Sequence, residues 1–386
     1  MSQNNNNMQN IQSNNNVNNN KNEFNSSREI SSENNYSFSR YTKPAKTRLK
    51  DLSDTSYLNS VLFSLGNIRN IVSYFLNPDN FNVIDTNIKS MSLCFVFERL
   101  LYHLYEKDNT EENCYSPEAF WKVLSHFNIV YKTLQRRNPI ELINYLLNML
   151  HNELNKVNKL VNIEGVDKKD KMKVIKAGVK KFQSSNNTII SNNLNWFEIK
   201  DCSCQKCKNT IFEFLTFITL NLDLDSTQNQ FNNKNQITIY DCLKNYNEPK
   251  MMNIFCQFCN SNENIICKSK IFLTSHALIF CMNRDIDFSE KNKLLKIKFN
   301  LEEKIELSSF IEESRSPKKY HLMGIISIFL PEKRYVNFSE SPVDKKWYYY
   351  NNEKKVEDIN LEEVLQRHNK DGNEYIPTIL IYKASL

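Results

Sequence analysis

Leu49-Lys-Asp-Leu-Ser-Asp-Thr-Ser-Tyr-Leu-Asn-Ser-Val-Leu62 is the stretch on which the fold turns. From Tyr57 onward, Leu58, Val61, Leu62, Leu65, Ile68, Ile71, Val72, Phe75 and Leu76 recur at spacings of three and four. That is one face of a helix, broken near Gly66. Asp54, just ahead of it, reads as the N-cap. Further on, Phe95, Phe97, Leu100, Leu101 and Leu104 predict a second helix. Ser116-Pro117 predicts the start of a third, with Ser as cap and Pro in the first helical position. Asn138-Pro139-Ile140-Glu141 opens a fourth, with Glu141 placed for a capping box and Leu142, Leu146, Met149 and Leu150 on its apolar face. The helical part spans about 47–154.

Upstream the composition changes. Residues 1–46 are rich in Asn and Ser, with 11 Asn among the first 20. So little apolar surface cannot offset the entropy of ordering, which predicts a disordered tail. Downstream, a Lys- and Asn-rich linker or insertion covers about 155–193. Short β-type runs follow over 194–386: Trp196–Ile199, Phe214–Leu224, Ala277–Met282, Leu294–Phe299, Leu322–Phe329, Trp347–Tyr350 and Tyr375–Tyr382. With only 5 Gly in the chain, turns must use Asn, Asp, Ser and Pro. Helices first and strands second is an α+β order.

The 386 residues are 40% hydrophobic, enough for a sizeable core. The formal charge of +6 is small and says little, because a total cannot show a concentrated basic face; direct contact with nucleic acid is not expected. The start lacks a secretory signal, and no run is long and apolar enough for a membrane span. These features predict an intracellular protein, nuclear or cytoplasmic, with no membrane partner. Its 10 Cys are then expected as free thiols plus one metal site. Cys204-Gln-Lys-Cys207 and Cys256-Gln-Phe-Cys259 are two CxxC knuckles, and two such turns complete a four-thiolate Zn2+ site. Four protein ligands leave no open position, so the ion is structural. Cys202 is an alternative to Cys204. Cys94, Cys114, Cys242, Cys267 and Cys281 lack such spacing and are read as core or surface thiols.

In this order the features resemble the ubiquitin-specific proteases (ubiquitin carboxyl-terminal hydrolases). Leu49–Leu62, running into Ser73–Leu76, is similar to their Cys box, roughly GLxNLGNTCYMNSVLQxL. Pro139–His151 is similar to their DAxEFLxxLLxxLH helix, and Ala277–Arg284 to their LIxHLKR strand. Tyr320–Ile326, Arg334–Val336, Trp347–Asn352 and Tyr375–Tyr382 follow the His box to the end. The resemblance covers about 47–384. It implies a papain-like hand, with a helical thumb, a β palm and zinc-bearing β fingers, in one domain over 47–386.

The family's chemistry needs a thiolate at a helix N-terminus, a His base, an Asp or Asn behind the His, and an Asn as oxyanion donor. At the matching positions this sequence has Ser56, Arg334, Asn352 and Asp51. A guanidinium has no proton acceptor, and a carboxylate has no N–H to donate. Each loss lowers the same step by orders of magnitude. The sequence therefore predicts a catalytically degenerate member, a pseudoenzyme binding ubiquitin, a ubiquitin-like protein or another protein. Ser73–Asn80, Leu146–His151 and Glu290–Asn292 resemble segments of the spliceosomal tri-snRNP pseudo-protease, which implies a ribonucleoprotein assembly. Two alternatives stand beside this. One is an active hydrolase with Ser56 or another unusual nucleophile. The other is an RNA-associated zinc module using the Lys-rich segment Lys168–Lys181, which has the composition of a basic helix.

Overall fold

The computed structural model describes residues 43–81, 91–105, 114–157, 165–284, 292–314, 316–352, 354–370, 372 and 374–385. The predicted tail lies outside the described residues, apart from its last four positions (43–46), and so do Glu290 and Lys291.

The helical half begins with β1 (Arg48–Leu49), which pairs in parallel with β2 (Cys114–Tyr115). Its helices are α1 (Ser56–Leu65), α2 (Arg69–Phe75), α3 (Pro78–Phe81), α4 (Leu93–Tyr105), α5 (Glu118–Phe127) and α6 (Pro139–Leu154). The break after Leu65 falls at Gly66 as expected. The caps differ from expectation in three places. Thr55, not Asp54, is the N-cap of α1, because Asp54 turns away at φ 46 and pairs with Arg136 at 3.0 Å. Pro117 takes the cap of α5 in place of Ser116. Asn138 does cap α6, through Ile140 N–H, but Glu141 makes no reciprocal bond.

The interval 155–193 is more than a linker. It contains α7 (Lys171–Ser185), capped by Asp170, and α8 (Ile189–Leu194), held by a capping box between Thr188 and Ser191. Beyond it run β3 (Trp196–Cys204), β4 (Thr210–Phe217), β5 (Thr219–Leu222), α9 (Leu224–Gln230), α10 (Ile239–Asn247), β6 (Lys250–Cys256) and β7 (Ser261–Thr274). Then come β8 (Ala277–Met282), α11 (Lys293–Lys296), β9 (Lys304–Glu306), β10 (Lys319–Phe329), β11 (Arg334–Glu340), β12 (Trp347–Tyr350), β13 (Glu357–Ile359), α12 (Leu361–Asn369) and β14 (Tyr375–Ala384). The strand expected at Leu294–Phe299 is instead the short helix α11, capped by the Asn292 side chain.

Two sheets build this half. The palm sheet runs β13-β12-β11-β10-β14-β8-β5, with β9 against β10, and the fingers sheet runs β4-β3-β7-β6. α1 is wedged between the helical half and the palm. All ten of its residues are buried, as a helix enclosed on every side must be. Phe63 stacks on Tyr350 with ring centroids 4.2 Å apart, and Asn337 donates to Ser64 Oγ at 2.6 Å. Each fully buried Leu of α1 contributes about 1.5–3 kcal/mol.

The two faces of the fingers sheet are covered differently. Phe197, Ile199, Phe214 and Phe272 meet Ile175, Val179 and Phe182 of α7. Glu198 points the other way and receives the Tyr246 hydroxyl of α10. Gly178 lets α7 lie close, since a Cβ there would sit 2.3 Å from the Phe214 ring. The far end of α7 is tied to the helical half, where His151 bonds Thr188 (2.8 Å) and Asn186 (3.0 Å). The Lys-rich segment thus has a packing role. Its apolar stripe covers sheet, while Lys171 and Lys173 pair with Glu312 and Asp170.

Candidate functional site: a sealed serine and a four-thiol cluster

Ser56 is the first residue of α1, where peptide dipoles favour negative charge. α1 packs on β11, and this brings Ser56 to the Arg334 end of that strand. Ser56 Oγ accepts the backbone N–H of Tyr335 at 3.2 Å, and the residue is only 1% exposed. Thr55 and Tyr335 are equally closed off.

The loop before α1 is organised by Asp51. One carboxylate oxygen accepts from Thr55 N–H (2.8 Å), Thr55 hydroxyl (2.9 Å) and Ser53 N–H (3.2 Å). The other accepts from Asn352 Nδ2 at 3.3 Å. The loop is strained, with Ser53 at φ 117 and Asp54 at φ 46, values that a glycine adopts with less strain. Ser53 matches a Gly of the Cys box. Asn59 pins the same loop from inside α1 by donating to the carbonyls of Leu49 and Lys50.

Arg334, first in β11, turns to the Glu332 carboxylate at 3.2 Å. Asn351 and Lys354 bond the same carboxylate, at 3.2 and 3.3 Å. Burial pushes the Glu332 carboxyl up, but these partners and Arg334 outweigh it and hold it below its usual range. The four positions singled out in sequence are therefore assembled in one place. Two of them, Asp51 and Asn352, touch each other, Arg334 is in an ion pair, and Ser56 is bonded to backbone.

No imidazole hydrogen-bonds Ser56 among the described residues. His103 stacks on Tyr115, His126 lies exposed on α5, and His321 reaches Ser385. His151 ties α7 to α6, and the His276 backbone carbonyl accepts from Ala384. His368 makes a serine–histidine pair elsewhere, with Ser327 Oγ 2.8 Å from its Nε2. Its Nδ1 must be protonated to donate to the Val364 carbonyl at 2.7 Å, so Nε2 accepts the Ser327 hydroxyl. Ser327 is 0% and His368 1% exposed, and burial pushes the imidazole down to about 4. That pair is core. A cavity of about 690 Å³ opens at the far ends of β11 and β12 beside His321, Glu340, Trp347 and Asp358. None of Asp51, Ser56, Arg334 or Asn352 lines it.

At the fingertips the two CxxC turns are built alike. Lys208 N–H bonds the Cys204 carbonyl and Asn260 N–H the Cys256 carbonyl; Lys208 and Asn260 both take positive φ. The sulfurs of Cys204, Cys207, Cys256 and Cys259 all lie within 4.8 Å of one another. Cys204–Cys259 and Cys207–Cys256 are each separated by 3.7 Å. Four sulfurs at about 2.3 Å around tetrahedral zinc stand about 3.8 Å apart, so the donor set fits that ion. Hydrogen bonding with Asn209 pulls the Cys207 thiol down to about 6, whereas burial and the neighbouring sulfurs push Cys259 up to about 12. An arriving cation displaces the remaining protons. Cys202 stands outside this set. It faces Cys267 across the β3–β7 ladder, sulfurs 3.0 Å apart.

A family profile described as ubiquitin carboxyl-terminal hydrolase matches residues 47–382. The chain belongs to that family. Among the curated members of the ubiquitin carboxyl-terminal hydrolase family, hydrolase 4 of Saccharomyces cerevisiae is 22% identical over 344 residues, covering 79% of this chain and 36% of that protein. Hydrolase 10 of Arabidopsis thaliana is 31% identical over 118 residues, covering 30% and 12%. The chain thus spans about a third of the yeast relative. A solved structure of the SAGA Ubp8/Sgf11/Sus1/Sgf73 DUB module bound to ubiquitin aldehyde shares the hydrolase fold at TM-score 0.64 and 17% identity, covering 90% of this chain and 71% of that one. A SAGA module bound to monoubiquitin aligns at TM-score 0.62 and 16% identity, with 90% and 70% covered. The described residues contain no helix long and apolar enough to cross a membrane.

Proposed function

We propose that this chain is a non-hydrolysing member of its family, a zinc-stapled domain that binds ubiquitin or a ubiquitin-like fold as part of a protein assembly. The observation that carries it is the state of Ser56. Its hydroxyl accepts a backbone N–H, is 1% exposed, and has Arg334 where the family pattern has the His base. Without a base the hydroxyl stays protonated, and Asp51 offers an anion where a developing oxyanion needs donors. The same residues have taken structural work: Asp51 orders the loop, Asn352 supports Asp51, and Arg334 closes the turn through Glu332.

Zn2+ bound to Cys204, Cys207, Cys256 and Cys259 would be structural, holding the β3–β4 turn to the β6–β7 turn. Ubiquitin is the first partner to test, because the similar SAGA modules are bound to it. The segments resembling the tri-snRNP pseudo-protease make a splicing assembly the place to seek the larger complex. The RNA-module alternative is weaker, since α7 spends its apolar face on the fingers and two of its lysines on carboxylates.

Titrating isotope-labelled ubiquitin with the purified chain tests the binding half. Saturable shifts on one face of ubiquitin are expected. Unperturbed spectra at about 100 µM protein would overturn ubiquitin as the partner.

A further inference from the structure

β6 (Lys250–Cys256, Lys-Met-Met-Asn-Ile-Phe-Cys) is the outer strand of the fingers sheet, and its first six residues are exposed. Natural edge strands are blunted by charge, proline, a bulge or a cover, because an open edge is a template for another strand. Here only Lys250 supplies charge. Met251 is 65% exposed, Met252 42%, Ile254 37% and Phe255 60%. Among the described residues no strand other than β7 pairs with it.

The sequence is symmetric in character about Asn253. One residue away lie Met252 and Ile254, and two away lie Met251 and Phe255. An antiparallel copy with its dyad at Asn253 would therefore set Met252 against Ile254 and Met251 against Phe255, with Asn253 against itself. Every cross-strand pair near the dyad is then apolar–apolar, including a thioether against an aromatic ring, or amide–amide. No like charges meet.

We infer that β6 is a homodimerisation edge, the two fingers sheets joining through β6 of each copy into one eight-stranded sheet. The strand pairs with its own copy, so the contact is isologous, closes as a two-fold dimer and does not propagate. The four apolar side chains offer roughly 400 Å² per chain, or roughly 800 Å² for the pair before backbone is counted, which is the size of a weak, concentration-dependent association.

Light scattering on the full, metal-loaded chain tests this. The mass should rise from 45.7 kDa toward twice that value as concentration increases to about 100 µM. The variant carrying Met252→Lys and Phe255→Lys should stay at the monomer mass with unchanged metal content and melting. Asn253→Cys should give a covalent dimer under mild oxidation where the wild-type chain gives none, since only at the dyad does a residue meet itself. Monomer mass at every concentration, a dimer that survives the double lysine change, or an Asn253→Cys chain that does not cross-link would each overturn the inference.

Discussion

Lowering the pH should destabilise this domain through His368, and the size of the effect follows from its burial. The ring is 1% exposed, and both of its nitrogens are engaged in the neutral form, one accepting from Ser327 and the other donating to the Val364 carbonyl. Burial, only partly offset by the Val364 bond, moves it from 6.5 to about 4, with the Arg367 charge pushing the same way. Above pH 6.5 the ring is neutral whether the chain is folded or not, and it adds no pH dependence. As pH falls through 6.5 the unfolded chain gains a proton that the folded chain refuses until near pH 4. Falling pH therefore favours unfolding, by about 3 kcal/mol in full and about 2 kcal/mol by pH 5. Urea denaturation of the wild type and of His368→Gln, each at about pH 7.5 and pH 5, isolates this contribution. Glu302, pushed up to about 7 mainly by burial, has the opposite sign but is common to both chains and cancels. The variant should be less stable at neutral pH and should lose about 2 kcal/mol less on acidification. Equal pH slopes in the two chains would show that His368 is not held neutral in the core.

Other expectations concern packing and metal. Gly178→Val should cost about 1–3 kcal/mol of thermal stability, because the space over Phe214 is already filled. Asn59→Ala should cost about 1–3 kcal/mol by leaving the Leu49 and Lys50 carbonyls unpaired, and calorimetry reads it directly. Elemental analysis should find one zinc per chain, reduced severely in Cys256→Ser and unaffected in Cys202→Ser; zinc loss in the latter would place Cys202 in the donor set.

The helical half was largely legible in sequence because its apolar residues recur with helical spacing and its breaks carry Gly66 and Asn138-Pro139. The palm strands β8 and β12 were read at their true bounds, being short apolar or aromatic runs buried on both faces. β6 and the first part of β7 escaped because they are exposed or amphipathic and rich in Asn and Lys, so no apolar run marks them. α7 was legible only as a basic helix and its packing face was not: its core-facing positions are few and lie among lysines, and only the fingers sheet makes an apolar stripe of them. Leu294–Phe299 looked like a strand, but Asn292 starts a helical turn there, and a six-residue segment of four apolar residues and two lysines does not separate the two by itself. At the site, residue identity alone carries the proposal that hydrolysis is lost. Geometry adds the contacts these residues make: the Asp51–Asn352 bond, the Arg334–Glu332 pair and the backbone bond to Ser56 each join residues distant in the chain or across a turn.

Turnover of a fluorogenic ubiquitin substrate by the wild-type chain, set beside Ser56→Ala, bears most directly on the proposal that the chain does not hydrolyse. The sealed hydroxyl and the cationic side chain at the base position predict a rate no greater than buffer for both proteins. A wild-type rate above buffer that disappears with Ser56→Ala would contradict it.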